Sequence, residues 1–191
     1  MRITIIGGGA VGSSIAYHLA LAGGHEVTVI ERDPTYRIAS SSLSASSIRQ
    51  QFSTPLNIAM SQFGLAFLRA APEALAVQGE PPALALHERG YLFLASRAGE
   101  AILRDNHRVQ RDSGADIALL DPAALAERFP WLSTHGVALG ALGLSGEGWF
   151  DGPALLAAYR RKARSLGVAY LPRADTGFVR HGRRIEAGRY P

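Results

Sequence analysis

Cysteine is absent from the 191 residues, which excludes disulfide bridges, thiolate metal sites, a cysteine nucleophile and any cofactor tethered through sulfur. That composition fits a reducing compartment such as the cytoplasm. Lysine is nearly absent too: Lys162 is the only one, so the formal charge of +4 and the pI near 9.8 rest on arginine. In an alanine-rich chain this bias reads as genomic composition, and no nucleic-acid partner is expected. The densest basic cluster, Arg160, Arg161, Lys162 and Arg164, falls on a predicted helix whose other face is Leu155, Leu156, Tyr159, Ala163 and Leu166. It reads as a solvated helix face. No segment approaches the length of a membrane span. The largely uncharged run from Arg2 to Tyr17 is no secretion signal, because Gly7, Gly8, Gly9 and Gly12 would break its helix and no small-residue cleavage site follows.

What is present is a globular composition, 47% hydrophobic and 19% charged. Residues 2–6 form a β-branched run, residues 10–22 a predicted helix with Val11, Ile15 and Leu19 on one face, and residues 26–31 a second β-branched run. This is a strand-helix-strand unit with parallel strands. A serine-rich, unpatterned stretch from Ser40 to Ser53 follows and is a candidate site loop. Thr54-Pro55 then opens a helix with Leu56, Met60, Phe63 and Phe67 on its expected buried stripe. Further along, the pattern predicts a loop over 76–82 and a strand over 90–96. A surface helix over 98–113 carries Glu100/Arg104 and Arg108/Asp112 as pairs. A short helix opens at Asp121-Pro122, a strand covers 137–144, a helix opens at Asp151-Gly152-Pro153 and ends at Gly167, and a strand covers 168–171. Gly177 to Tyr190 suggests a two-stranded ribbon turning near His181-Gly182. The fold class is α/β, with extra strands inserted after the second βα unit.

Gly7-Gly8-Gly9-Ala10-Val11-Gly12 contains G-x-G-x-x-G directly after a strand and at the opening of a helix, the context that a dinucleotide fingerprint requires. Gly7 permits the tight turn, Gly9 lets backbone N–H groups approach a pyrophosphate, and Gly12 lets helix and strand pack closely. The helix N-terminus adds partial positive charge. Glu31 ends the second strand 19 residues after Gly12, where a carboxylate accepts hydrogen bonds from ribose hydroxyls and repels a 2′-phosphate. The fingerprint does not choose between NAD and FAD.

Ile5 to Gly12, the Ala16-Tyr17-His18-Leu19-Ala20 helix and Val27-Thr28-Val29-Ile30-Glu31-Arg32 resemble the FAD-dependent oxidoreductases of the D-amino-acid oxidase superfamily. Ser46-Ser47-Ile48-Arg49-Gln50-Gln51-Phe52 with Pro55-Leu56-Asn57-Ile58 is similar to the branch of sarcosine oxidase β-subunits and dimethylglycine dehydrogenases, as are Phe129-Pro130-Trp131-Leu132 and Gly148-Trp149-Phe150-Asp151. The resemblance implies a Rossmann-like FAD-binding domain from residues 1–75 and 150–191, with 76–149 as part of an inserted β-rich substrate domain. It implies FAD as cofactor and an amine or amino acid as substrate, oxidised by hydride transfer to flavin N5 to give an imine that hydrolyses. Gly7, Gly9, Ala10, Val11 and Gly12 are then expected at the pyrophosphate, Glu31 at the ribose and Arg32 beside the adenine. The Ser46-Ser47 loop is expected to approach the flavin. Arg49 is expected to pair with a substrate carboxylate or to stabilise reduced flavin; an internal ion pair or a phosphate contact is the alternative.

The segment Arg173 to Phe178 resembles the family strand that meets adenine, which brings in Val179, although Asp175 stands where an apolar residue is usual. Trp149 and Phe150 read as core packing and His135 as a surface residue. Family members are much longer. The resemblance therefore implies an incomplete fold with open sheet edges, completed by another chain or by more of the same protein. Two alternatives stand beside this reading: an NAD-dependent dehydrogenase, which the same fingerprint and Glu31 would serve, and a non-catalytic FAD-binding subunit.

Overall fold

Short β-branched runs on either side of a helix rich in small residues dictate the first element group of the chain. β1 (Arg2–Ile6), α1 (Ala10–Ala22) and β2 (Glu26–Glu31) follow one another, and β1 and β2 pair in parallel from Arg2 opposite Glu26 to Ile6 opposite Ile30. The computed structural model describes residues 1–174, 177–181 and 184–189. These fall into two compact units: Met1–Ala45, Ala71–Leu84 and Asp151–Pro191 form unit 1, and Ser46–Ala70 with Ala85–Phe150 form unit 2.

In unit 1 the sheet order is β1-β2-β8, where β8 is Ala169–Pro172 and pairs in parallel with Thr28 to Glu31 of β2. The central strand β2 buries Val27, Val29 and Ile30, as expected of a strand covered on both faces. α1 turns Ser13, Ala16 and Tyr17 inward and leaves Val11, 76% exposed, and Ile15 on the outside. This differs from the apolar stripe predicted for α1, because the small side chains let the helix approach the strands more closely than Val11 or Ile15 could. α5 (Gly152–Ser165) packs beside α1, with the Tyr17 and Tyr159 rings 5.7 Å apart. Its start is fixed by Asp151, whose side chain accepts a hydrogen bond from the Ala154 N–H at 2.8 Å, and by Pro153 in the first turn. Asp151→Ala is expected to cost about 1 kcal/mol, a fall in melting temperature of roughly 2–4 °C for a chain of this size. Calorimetry checks this.

The basic cluster of α5 is only in part a solvated face: Arg161 and Arg164 are exposed, Arg160 and Lys162 half-buried. The Arg160 guanidinium lies 3.9 Å from the centre of the Tyr36 ring, Arg164 lies 4.7 Å from that of Tyr170, and Lys162 Nζ donates to the Ala76 carbonyl at 2.8 Å. Arg161 donates to the Glu80 carbonyl at 2.9 Å. Long arginine stems and planar heads cover aromatic faces that would otherwise meet water. β9 (Gly177–His181) and β10 (Arg184–Arg189) form the expected antiparallel ribbon. The expectations for Asp175 and for a turn at Gly182 fall outside the described residues.

Unit 2 is built on the antiparallel sheet β4-β6-β5, made of Leu92–Ala95, Leu139–Gly143 and Ile117–Leu120. β6 is buried along its whole length. A second, two-stranded sheet pairs β3 (Ser47–Ile48) with β7 (Gly148–Trp149). The core joins Ile58 of α2 (Pro55–Ala74) to Ala115, Ile117 and Ala141. α2 therefore buries Ile58, Leu65 and Leu68 and exposes Leu56, Met60 and, at 72%, Phe63. The predicted stripe was the wrong one: α2 has two apolar faces at helical spacing, and periodicity alone cannot say which meets the sheet. In α3 (Glu100–Asp112) the Glu100–Arg104 pair forms at 2.8 Å, but Arg108 pairs with Asp105 at 3.2 Å instead of Asp112. Trp149, read as core, is 47% exposed and packs its ring 5.3 Å from that of His87. Its backbone is paired on both sides, with Ser47 and with His87, so the indole is left open on a face of the ribbon and not at an edge. α4 (Pro122–Arg128) is capped by Asp121, which accepts from the Ala124 N–H at 2.8 Å.

Candidate functional site

Unit 1 holds a cavity of about 730 Å³ where β1 and β2 end and α1 begins. Gly7, Gly9, Ala10, Val11 and Gly12 line it on one side and Glu31 and Arg32 on the other. Gly7 takes a φ of +94°, open to glycine at little cost. A methyl group at residue 12 would stand 1.9 Å from the Gly7 carbonyl oxygen, so the contact between turn and helix admits no side chain there. At Gly9 the same methyl group would meet nothing within 4 Å. The protein itself does not require a glycine at that position; the open space belongs to whatever the cavity receives. α1 starts with Gly9 as its cap residue, with no side-chain cap and no acidic residue in its first turn, so no side chain of the helix itself caps the N–H groups at its positive end.

Glu31 braces this turn. One carboxylate oxygen accepts from the Gly8 N–H at 2.7 Å and the other from the Asp33 N–H at 2.8 Å. Each oxygen keeps a free lone pair for a hydroxyl donor. Tyr36, Ile38 and Ala39, which sequence reasoning did not place, also line the cavity, beside Ser40 and Ser41 from the start of the expected site loop. Tyr36 sits at a φ of 58° and is buried; burial raises the pKa of its phenol, and the Arg160 guanidinium opposes that shift. Ser41 Oγ is buried without a hydrogen-bond partner. The serine-rich stretch was a signal for this wall; nothing in the sequence marked Tyr36.

Of the other predicted residues, Ser46, Ser47 and Arg49 belong to unit 2. Ser46 is buried at a φ of 50° and its carbonyl accepts from the Phe150 N–H at 3.0 Å, while Ser47 pairs with Trp149 in β3. Val179 stands on β9, partly exposed and outside the unit 1 cavity. His135 is exposed in its loop. No helix of the described residues is long and apolar enough to cross a membrane.

Arg49 is half-buried, with its guanidinium 4.9 Å from the ring centre of Phe52, 5.6 Å from that of Phe93 and 5.7 Å from that of Tyr91. Its Nε is buried without a hydrogen-bond partner, and among the described residues no carboxylate lies within ion-pair distance of it. Two residues on, Gln51 donates through Nε2 to the Tyr91 carbonyl at 2.8 Å and to Glu147 at 2.9 Å. Glu147 is fully buried. Its other oxygen accepts from the backbone N–H groups of Gln50, at 2.6 Å, and Gln51, at 3.1 Å. Burial pushes the Glu147 carboxyl above its ordinary pKa; the hydrogen bonds from Gln51 and Gln50 and the charge of Arg49 oppose that shift without cancelling it. The Gly146-Glu147-Gly148 run was the only sequence signal for this residue.

A carboxyl whose pKa is raised on folding holds its proton more tightly in the folded chain, so its contribution to stability is complete below the unfolded value and lost as pH rises through the folded one. Relative to Glu147→Gln, the unmodified chain is therefore expected to gain stability as pH falls from neutrality towards the ordinary carboxyl value of 4.5. Thermal melts of both proteins across that range check the sign.

Comparison with known proteins agrees on one family. The model of the DAO family, FAD dependent oxidoreductase, matches residues 2–189. The chain is similar to FAD-dependent oxidoreductase domain-containing protein 1 of Xenopus laevis, 50% identical across 87% of the chain and 34% of that protein. It is 44% identical to the Bos taurus protein of the same name across 96% of the chain and 39% of that protein. It thus spans between a third and two fifths of these relatives. Among solved structures, the crystal structure of L-proline dehydrogenase from P. horikoshii superposes with a TM-score of 0.84 at 26% identity, covering 99% of this chain and 48% of that one. Glycine oxidase from Geobacillus kaustophilus superposes with a TM-score of 0.76 at 28% identity, covering 93% and 49%.

Proposed function

The chain belongs to the DAO family of FAD-dependent oxidoreductases, and on that premise we propose that it takes part in oxidising an amine that carries a carboxylate, an amino acid in the broad sense. The residues of the unit 1 cavity fit FAD. The uncapped start of α1, the vacant space at Gly9 and the unpartnered Ser41 Oγ suit an anionic, hydroxyl-bearing group. Gly7, Gly9, Ala10, Val11 and Gly12 would hold its pyrophosphate, Glu31 its ribose, and Arg32 would flank the adenine. Bound there, the flavin supplies the acceptor for a hydride from the carbon beside the amine.

The observation that carries the substrate class is Arg49. An arginine head steadied by Phe52, Tyr91 and Phe93 and paired with no carboxylate of the described chain is prepared for an anion from outside. Holding the substrate carboxylate there fixes the direction in which the rest of the molecule extends. Names among the relatives support the same chemistry: a D-amino acid dehydrogenase of Methylobacterium is 34% identical over 58% of the chain. We assign cofactor binding to the segments 1–75 and 150–191 and substrate handling to 76–149 together with the Arg49 loop, and we place the protein on the sarcosine oxidase side of the family. Ser46 and Ser47 belong to that loop, and Val179 to the adenine side. A partner chain or further residues of the same protein would cover the outer edge of β1.

The test is anaerobic mixing of the FAD-loaded protein with glycine, sarcosine and proline, with matching amines that lack a carboxylate, and with hydroxy acids. Bleaching of the flavin absorbance by the amino acids alone is expected. Bleaching by the hydroxy acids or simple amines but not by the amino acids defeats the assignment.

A further inference from the structure

Glu147 is the one fully buried charged side chain among the described residues, and its place is built with care. A methyl group at residue 143 would come within 1.8 Å of its carboxylate oxygen, and one at residue 146 within 2.4 Å of Gln50 Nε2. Two glycines thus leave room for a carboxylate and for the glutamine beside it. Three N–H donors converge on that carboxylate, two from the backbone and one from a side chain. Gln50 adds a hydrogen bond from Nε2 to the Gly146 carbonyl at 3.2 Å. On the other side of Gly146, its N–H donates to Glu88 at 3.2 Å, and Glu88 is paired with Arg69. The residues tied down in this way, Gln50 and Gln51, directly follow Arg49.

We propose that Glu147 is a positioning residue for Arg49: by clamping Gln50 and Gln51 it fixes where the Arg49 guanidinium stands, and so sets how well that site takes a carboxylate. This rests on the reading of Arg49 as the carboxylate site. Burying an ion in the interior is costly unless donors surround it, and a hydrophobic residue would fill the same volume more cheaply. Orienting a neighbouring group is what such a carboxylate adds. Gln51 marks the geometry as specific: its Nε2 serves both Glu147 and the Tyr91 carbonyl, while its Oε1 is buried without a partner. An amide in place of the Glu147 carboxylate would present a donor to that Nε2. Gln51 would then have to turn over and abandon Tyr91, whose ring is one of those around Arg49.

The experiment uses the FAD-loaded chain labelled with 15N-arginine. Acetate is titrated in while the Arg49 Nε–H resonance, assigned by its loss in Arg49→Met, is followed by NMR; calorimetry gives the dissociation constant for variants that lack the signal. Glu147→Gln is expected to weaken acetate binding about tenfold and to shift the free Arg49 resonance, with FAD affinity unchanged. In the Arg49→Met background the same substitution should have no further effect, the mark of action through Arg49. Unchanged acetate binding by Glu147→Gln while Arg49→Met has lost it overturns the proposal and leaves the Arg49 reading intact. Full acetate binding by Arg49→Met overturns both. If Glu147→Gln does not fold, Gln51→Met carries the test, since it removes only the side-chain donor: about threefold weaker binding is expected, and no change counts against the clamp.

Discussion

Gly12→Ala is expected to yield a colourless protein with a melting temperature lower by roughly 10 °C or more. The added methyl group would stand 1.9 Å from the Gly7 carbonyl oxygen and 3.0 Å from its carbon. Neither is the end of a flexible side chain, so the start of α1 must move bodily away from the turn. Overpacking of this kind costs about 1–3 kcal/mol when side chains can yield, and here the obstacle is backbone. The displaced helix start is also the group meant to meet the pyrophosphate, so stability and FAD retention fall together. Gly9→Ala separates the two. Its methyl group meets nothing of the protein within 4 Å, and the melting temperature of the FAD-free chain should stay where it was. FAD affinity should still fall, because the methyl group occupies the space left to the ligand. Equal FAD affinity for Gly9→Ala and the unmodified protein, read by flavin fluorescence quenching, would remove the cavity from consideration as the pyrophosphate site.

Arg49→Met should lower kcat/KM for an amino-acid substrate by about two orders of magnitude, the consequence of losing about 3 kcal/mol of charge-assisted contact. Methionine keeps length and contact with Phe52, Tyr91 and Phe93 while removing the charge, so the fold should persist. An amine of the same shape without a carboxylate should be oxidised as slowly by the variant as by the unmodified enzyme. That contrast assigns the loss to recognition of the anion. If both substrates slow equally, Arg49 acts on the flavin and not on the substrate, the other role open to it.

The glycine-rich turn of unit 1 was legible because its signals are local. A β-branched run, four glycines and a carboxylate at the end of the next strand are dictated within the first 31 residues, and the turn, helix and strand formed where the pattern placed them. The Arg49 and Glu147 cluster of unit 2 was less so. Arg49 stood out only through family resemblance, and Glu147 only through its flanking glycines, because its contacts are with residues far away in the chain. Aromatic and basic residues were misread for a related reason. Whether Arg160 meets water or Tyr36, and whether Phe63 or Ile58 meets the sheet, depends on which surface of another element arrives opposite. Periodicity fixes the faces of a helix and leaves their partners open.

The register of β8 against β2 has a consequence for the order of events during synthesis. Thr28 must wait for Ala169 before its strand acquires its second neighbour, whereas every residue of unit 2 has been made by Phe150. β2 thus completes its pairing only after the residues of unit 2 have been made. A half-formed parallel sheet bearing Val27, Val29 and Ile30 must be carried until β8 has been made. Pairings so distant in sequence close slowly, and the apolar strands they leave exposed in the meantime are the natural clients of a chaperone.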